Sequence, residues 1–208
     1  MRTLIQNCRI ISPGIDIPEG YLIIRDDKIE EVGEGGVSGT FDNVIPADGL
    51  IAAPGFIDIH SHGRSNFDFC DIAPEAFAVI GRRKREDGVT GFLATSLTVS
   101  MDDLRDFCRL AERYKKDVTD GAALLGVHLE GPCINPSCAG AQNPAFLREP
   151  DIAIVDELNA ISPVKKVTFS PELPGGLAFT KALAERGIMP SGGHSSADYE
   201  CFEANRAA

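Results

Sequence analysis

The sequence contains no apolar run long enough to cross a bilayer, no long basic run and no low-complexity segment. It has no internal repeat beyond a generic strand–helix unit, and only four histidines among 208 residues. These absences exclude several function classes. A net charge of −11 without a basic cluster argues against nucleic acid or an anionic membrane as the main partner. It leaves a phosphorylated metabolite open, because a few local cations suffice for that. The first eight residues lack the apolar h-region of a signal peptide. Zinc-knuckle cysteine pairs are also missing. Six cysteines (Cys8, Cys70, Cys108, Cys133, Cys138, Cys201) are scattered along the chain and read as reduced thiols of a cytoplasmic protein. Cys133 and Cys138 lie near Glu130, so a thiolate metal site is the minor alternative, but their spacing is wrong for one and no second pair exists.

What is present is ordinary globular material, 43% hydrophobic and 25% charged. Residues 1–53 read as all-β. Short β-type runs cover Thr3 to Ile11, Tyr21 to Arg25, Lys28 to Val32, Asn43 to Ile45 and Leu50 to Ala53, with Pro13-Gly14 and Asp26-Asp27 as turns. This predicts a small β domain, half of a β-sandwich. From residue 54 strands and helices alternate. Strands are expected at Phe56 to His60, Thr90 to Ser96, Leu124 to Glu130, Val164 to Ser170 and Ile188 to Gly192. Helices are expected at about Pro74 to Asp87, Ser100 to Val118, Asp151 to Ile161, Phe179 to Arg186, and from Ala197 onward with Ser195 or Ser196 as cap. Such alternation implies a parallel sheet in an α/β fold. About five β/α units are visible, so residues 54–208 read as an incomplete (β/α)8 barrel of TIM type.

The metal-capable side chains fall at the carboxyl ends of those strands, where a (β/α) barrel builds its active site. His60 and His62 are two apart at the first strand end, so both rings should face one side. Glu130 ends the apolar run Leu124 to Leu129 and is followed by Gly131-Pro132; an unpaired carboxylate there would be costly to bury. His194 follows Ser191-Gly192-Gly193, a backbone small enough for close approach, with a helix-capping histidine as the bland alternative. His128 alternates with Glu130 and reads rather as a supporting group than as a ligand. The loop from Ser137 to Pro144, which contains Ala141, Gln142 and Asn143, is polar and rich in turn residues; it reads equally as a substrate contact or as plain surface. Together the residues describe a metal-dependent hydrolase, in which a divalent ion acidifies bound water and polarises a carbonyl. Zinc is the expected ion, with iron, manganese or cobalt chemically compatible. No general acid or base stands out within residues 1–208.

Four stretches carry a resemblance. Ala53-Pro54-Gly55-Phe56-Ile57-Asp58-Ile59-His60-Ser61-His62-Gly63, Gly126-Val127-His128-Leu129-Glu130-Gly131-Pro132, Lys166-Val167-Thr168-Phe169-Ser170-Pro171-Glu172 and Ser191-Gly192-Gly193-His194-Ser195 are similar, in collinear order, to the N-acetylglucosamine-6-phosphate deacetylase family of the amidohydrolase superfamily. The resemblance implies deacetylation of N-acetylglucosamine 6-phosphate to glucosamine 6-phosphate and acetate. It implies a metal on Glu130 and His194, with His60 and His62 as ligands of one or two ions, and Ala141, Gln142 and Asn143 against the amino-sugar phosphate. Some members carry histidine where Gln142 stands, which hydrogen-bonds but cannot act as a base. The resemblance also implies that the third metal histidine, the catalytic aspartate and the phosphate-binding arginine would lie beyond Ala208, so that this chain corresponds to the N-terminal half of a homodimeric enzyme. Two alternatives stand beside it: a truncated, catalytically incompetent fragment, and an amidohydrolase acting on cyclic amides.

Overall fold

A computed structural model describes residues 1–207. The chain forms two compact units, Met1–Gly55 and Phe56–Ala208. The first is one five-stranded sheet. Strands β1 (Arg2–Ser12), β2 (Ile15–Arg25) and β3 (Lys28–Glu34) form an antiparallel meander, and β4 (Asn43–Pro46) and β5 (Ile51–Ala52) both pair with β1 in parallel. Its two small apolar clusters centre on Leu4, Tyr21 and Ile23, and on Cys8, Ile10 and Ala47.

The second unit is built on a five-stranded, wholly parallel half-barrel sheet. Its strands are β6 (Phe56–Asp58), β9 (Val89–Thr95), β10 (Ala123–Glu130), β11 (Val164–Phe169) and β12 (Met189–Gly192), paired in chain order. Helices α1 (Pro74–Glu86), α2 (Met101–Asp117), α3 (Ile152–Ile161) and α4 (Gly176–Glu185) connect them, and α5 (Tyr199–Arg206) follows β12. Each crossover returns the chain to the same end of the sheet, so every strand's carboxyl end opens on one face. A small hairpin, β7 (Gly63–Arg64) with β8 (Phe67–Asp68), lies between β6 and α1 and had no clear sequence signal.

Local chemistry explains the helices. Ser100 Oγ accepts a hydrogen bond from the Asp103 amide at 3.1 Å and caps α2; Asp102 and Asp103 sit in its first turn and Lys115 and Lys116 in its last. Leu104, Phe107, Cys108, Ala111 and Tyr114 form its buried stripe. Pro74 opens α1, and Asp151 caps α3. One cap differs from expectation. Asp198, not Ser195 or Ser196, caps α5, accepting from the Cys201 amide at 2.8 Å. The two serines are engaged elsewhere, as shown below. The core between helices and sheet is aromatic: Phe69, Phe77, Phe92, Phe107 and Tyr114 pack in a continuous chain of rings 4.9 to 6.5 Å apart.

Candidate metal centre

Glu130 is the last residue of β10, and its carboxylate is almost fully buried. Gly131 takes the chain away from it at φ +83°; a Cβ there would meet Thr98 Oγ1 at 2.2 Å, so only glycine fits. Three imidazoles converge on the carboxylate. His62 Nε2 lies 3.0 Å from Oε2, His60 Nε2 3.6 Å from Oε1, and His194 Nε2 3.4 Å from Oε1. One donor atom from each of His60, His62 and Glu130 lies within 4.8 Å of the other two. His194 joins the group through Glu130.

The route by which His60 and His62 arrive corrects the strand-alternation expectation. Strand β6 stops at Asp58, and both histidines lie in the loop beyond it. The loop is fixed by contacts instead of by pleating. Asp58 Oδ1 accepts from the His60 amide at 3.1 Å, and the Ser61 amide donates to Thr95 Oγ1 at 3.0 Å. Asp58 is itself held by Lys84, a buried lysine of α1 whose Nζ lies 2.6 Å from Oδ2 and 5.6 Å from the centre of the Phe92 ring. The result places the two rings 5.1 Å apart and nearly perpendicular, both with Nε2 toward Glu130.

His194 is held in the left-handed region at φ 51°. Its Nδ1 lies 3.0 Å from the Cys138 carbonyl, so Nδ1 carries the proton and Nε2 presents a lone pair to the centre. His194 is not the cap of α5, a place taken by Asp198. His128 differs. It is fully buried, with Nε2 2.8 Å from Thr168 Oγ1 and Nδ1 3.3 Å from Thr95 Oγ1, so both nitrogens are occupied. Its ring lies 5.0 Å from that of His60.

Of the loop residues, Gln142 is buried and reaches the centre. Its Nε2 donates to Glu130 Oε2 at 2.6 Å, and its Oε1 accepts from the Thr98 amide at 2.6 Å. Ala141 and Asn143 are exposed, and the Asn143 side chain accepts from the Ala145 amide at 3.0 Å. Sequence reasoning assigned no role to Glu172, which follows β11. Its carboxylate accepts from Asn135 Nδ2, the Ser195 and Ser196 hydroxyls and the Ser196 amide. The available signal was positional: another carboxylate just past a parallel strand's carboxyl end.

The electrostatics match a cation site. Burial alone would raise the Glu130 carboxyl, but its bond to His62 and the charges of His62, His60 and His194 outweigh burial and hold it at about 2. The same bond raises His62 above the ordinary histidine value, with a small contribution from the Thr95 carbonyl; Nδ1 of His62 is buried without a hydrogen bond of normal geometry. Burial lowers His60, partly countered by Glu130. Burial, with Lys166 and His60 nearby, pushes His128 down to about 3. A carboxylate among imidazole nitrogens is the donor set that zinc and similar divalent ions take.

These shifts predict an acid sensitivity in the metal-free protein. His128 titrates near ~6.5 when unfolded and at about 3 when folded. Between those values the unfolded chain binds more protons. The contribution is therefore complete above pH ~6.5 and is lost as pH falls toward 3. His60 acts in the same sense. His62 acts oppositely, since its raised value stabilises at low pH and the benefit is lost as pH rises. Comparison with His128→Gln isolates the one group. Between pH 7 and 5, in chelator, wild type is expected to lose about 2 kcal/mol more than the variant in urea titrations. Equal losses would reject the buried neutral imidazole.

No protein-family model matches the chain. It is 31% identical over 199 residues to N-acetylglucosamine-6-phosphate deacetylase of Lysinibacillus sphaericus, covering 95% of this chain and 51% of that protein. It is 32% identical over 161 residues to N-acetylgalactosamine-6-phosphate deacetylase of Escherichia coli O157:H7, covering 76% and 42%. Among solved structures it matches a variant N-acetyl-D-glucosamine-6-phosphate deacetylase from Mycobacterium smegmatis in complex with N-acetyl-D-glucosamine-6-phosphate. There the TM-score is 0.83 at 26% identity, over 99% of this chain and 53% of that one. The chain thus spans about half the length of the curated relatives it matches.

Proposed function

The chain belongs to the N-acetylglucosamine-6-phosphate deacetylase family, and from that premise we propose that the protein hydrolyses the acetamide of N-acetylglucosamine 6-phosphate to glucosamine 6-phosphate and acetate. The observation that carries this reading is the convergence of three imidazole Nε2 atoms on one buried carboxylate at the open end of a parallel half-barrel sheet. Glu130, His194, His60 and His62 are the proposed ligands of a divalent metal, taken to be zinc and binding as one or two ions. When bound, such an ion acidifies water and polarises the acetamide carbonyl.

The protein's own residues do the rest. Gln142 fixes one oxygen of Glu130 by donating to it, which leaves the other directed toward His60 and His194. Cys138 orients His194 through its carbonyl. The Ala141–Asn143 loop is the proposed rest for the amino sugar, because it follows Gly140, where a Cβ would come within 3.8 Å of the His194 ring. The nearby carboxylates are already committed: Glu130 to the histidines and Gln142, Asp58 to Lys84, Asp68 to the Cys70 amide, and Glu172 to Asn135 and two serines. The proton carrier is accordingly not assigned to any of them. Six free cysteines suit a reducing, cytoplasmic setting, and no described helix is long and apolar enough to cross a membrane. A homodimer is the proposed assembly of the complete enzyme.

The test is free-amine release by the purified full-length protein, stripped with chelator and reloaded with zinc. N-acetylglucosamine 6-phosphate, its galactosamine epimer and a dihydropyrimidine are supplied separately. Zinc-dependent release from the first is expected. Activity on the epimer alone would move the substrate to that of the Escherichia coli relative. Hydrolysis of the cyclic amide alone, or none at all, would overturn the proposal.

A further inference from the structure

His194 is a non-glycine residue at φ 51°, a conformation that costs free energy and persists only where the surroundings over-determine it. The surroundings here are specific. Ser170 Oγ donates to the His194 carbonyl at 2.6 Å, and the Asn135 amide also approaches that carbonyl, at 3.3 Å. The two residues after His194 are then seized by Glu172. Ser195 Oγ donates to Glu172 Oε2 at 2.6 Å, and the Ser196 amide donates to Oε1 at 2.7 Å. Asn135 Nδ2 donates to the same Oε1 at 2.8 Å. One carboxylate thereby ties together the segments following three successive strands, β10, β11 and β12. Two of those strands run directly into the centre, at Glu130 and toward His194.

We propose that Glu172 is a positioning residue for the metal centre: it locks Ser195 and Ser196, and so holds His194 in its left-handed conformation with Nε2 directed at Glu130. This rests on the reading of His194 as a ligand. Glu172 does not contact the centre itself. Both its oxygens are taken by protein donors, so it is not free to bind an ion or a substrate. A carboxylate suits the task because every neighbour presents an N–H or O–H, and charge-assisted bonds of this kind are the strong ones. Alanine would release all of these donors. Glutamine would keep an acceptor for Asn135 and Ser196, and the Ser195 hydroxyl can reverse to accept from its amide.

Zinc affinity is measured on the full-length protein by competition with a chromophoric chelator, and the visible spectrum of the cobalt-loaded form is recorded in parallel. Wild type, Glu172→Ala, Glu172→Gln, Ser195→Ala and His194→Ala are compared. Glu172→Ala is expected to weaken zinc binding about 10- to 100-fold, the usual cost of losing a group that orients a ligand, and to shift the cobalt band toward that of His194→Ala. Glu172→Gln should stay within a few-fold of wild type, and Ser195→Ala should fall between. A role in folding alone would lower the unfolding temperature and leave affinity and spectrum of the folded protein unchanged. That outcome in Glu172→Ala, or in Ser195→Ala should the first variant not fold, overturns the assignment provided His194→Ala does weaken binding. If His194→Ala binds as wild type does, the ligand reading of His194 fails instead, and the role of Glu172 with it.

Discussion

Replacing Glu130 with alanine is expected to weaken divalent-metal binding by at least about 100-fold and to abolish the proposed metal-dependent hydrolysis. Groups that merely orient a ligand cost about 10- to 100-fold when lost, so the shared carboxylate should cost at least as much. Among the described residues, no other touches as much of the centre. Glu130 is within 3.6 Å of His60, His62 and His194, and it receives the Gln142 amide at 2.6 Å. Alanine would leave three imidazoles with no anion between them and a buried amide N–H with no acceptor, the latter alone costing about 1–3 kcal/mol. Glu130→Gln is the sharper comparison. It keeps the volume but removes the charge and turns an acceptor into a donor facing the Gln142 amide. Calorimetric titration of the chelator-treated protein reads the effect. Zinc binding of wild-type strength in either variant would remove Glu130 from the centre.

The second large effect is expected far from any exposed surface. Phe92→Ala should destabilise the second unit by about 3–5 kcal/mol, the range for deleting a buried aromatic ring. For a chain of this size that is a fall of roughly 10 °C in Tm. Phe92 is fully buried on β9. It stacks on Phe69 at 5.7 Å and 14°, meets Tyr114 edge-on at 5.7 Å, and lies under the Lys84 ammonium. No neighbour can collapse into the space without breaking another of these contacts. Lys84 is also the partner of Asp58, which holds the His60 amide. The cavity is therefore expected to loosen the His60–His62 loop as well. Phe92→Leu, which refills much of the volume, should lose about 1–1.5 kcal/mol. Equilibrium urea unfolding of both variants tests this, and a loss below about 1 kcal/mol for alanine would show that the ring is not part of a tightly packed core.

Much of the fold was legible before the structure. Val127 and Leu129 preceding Glu130, Ser100 before Asp102 and Asp103, and Pro74 at a helix start are local signals. They act through burial, capping and fixed φ within a few residues, which is why the β/α boundaries came within one to three residues of those observed. The β7–β8 hairpin escaped because two-residue strands carry no periodicity. The α5 cap was misplaced because Ser195, Ser196 and Asp198 are all good caps by type; the choice among them was made by Glu172, which draws the serines away.

Sequence alone placed Glu130 at a strand end and His60 and His194 just past two others, because an apolar run followed by a metal-capable side chain near glycine is a one-dimensional pattern. How those residues meet is set by packing in three dimensions. Parallel pairing sets β10 beside both β9 and β11, and it brings His128 between Thr95 and Thr168, 33 and 40 residues away along the chain. Helix packing carries Lys84 to Asp58 across 26 residues, and loop closure carries Gln142 to Glu130. Each of these contacts depends on register and on distances through space. No residue type or spacing encodes them: a lysine one residue earlier or later on α1, where Arg83 and Arg85 are exposed, would read much the same in sequence and would face solvent.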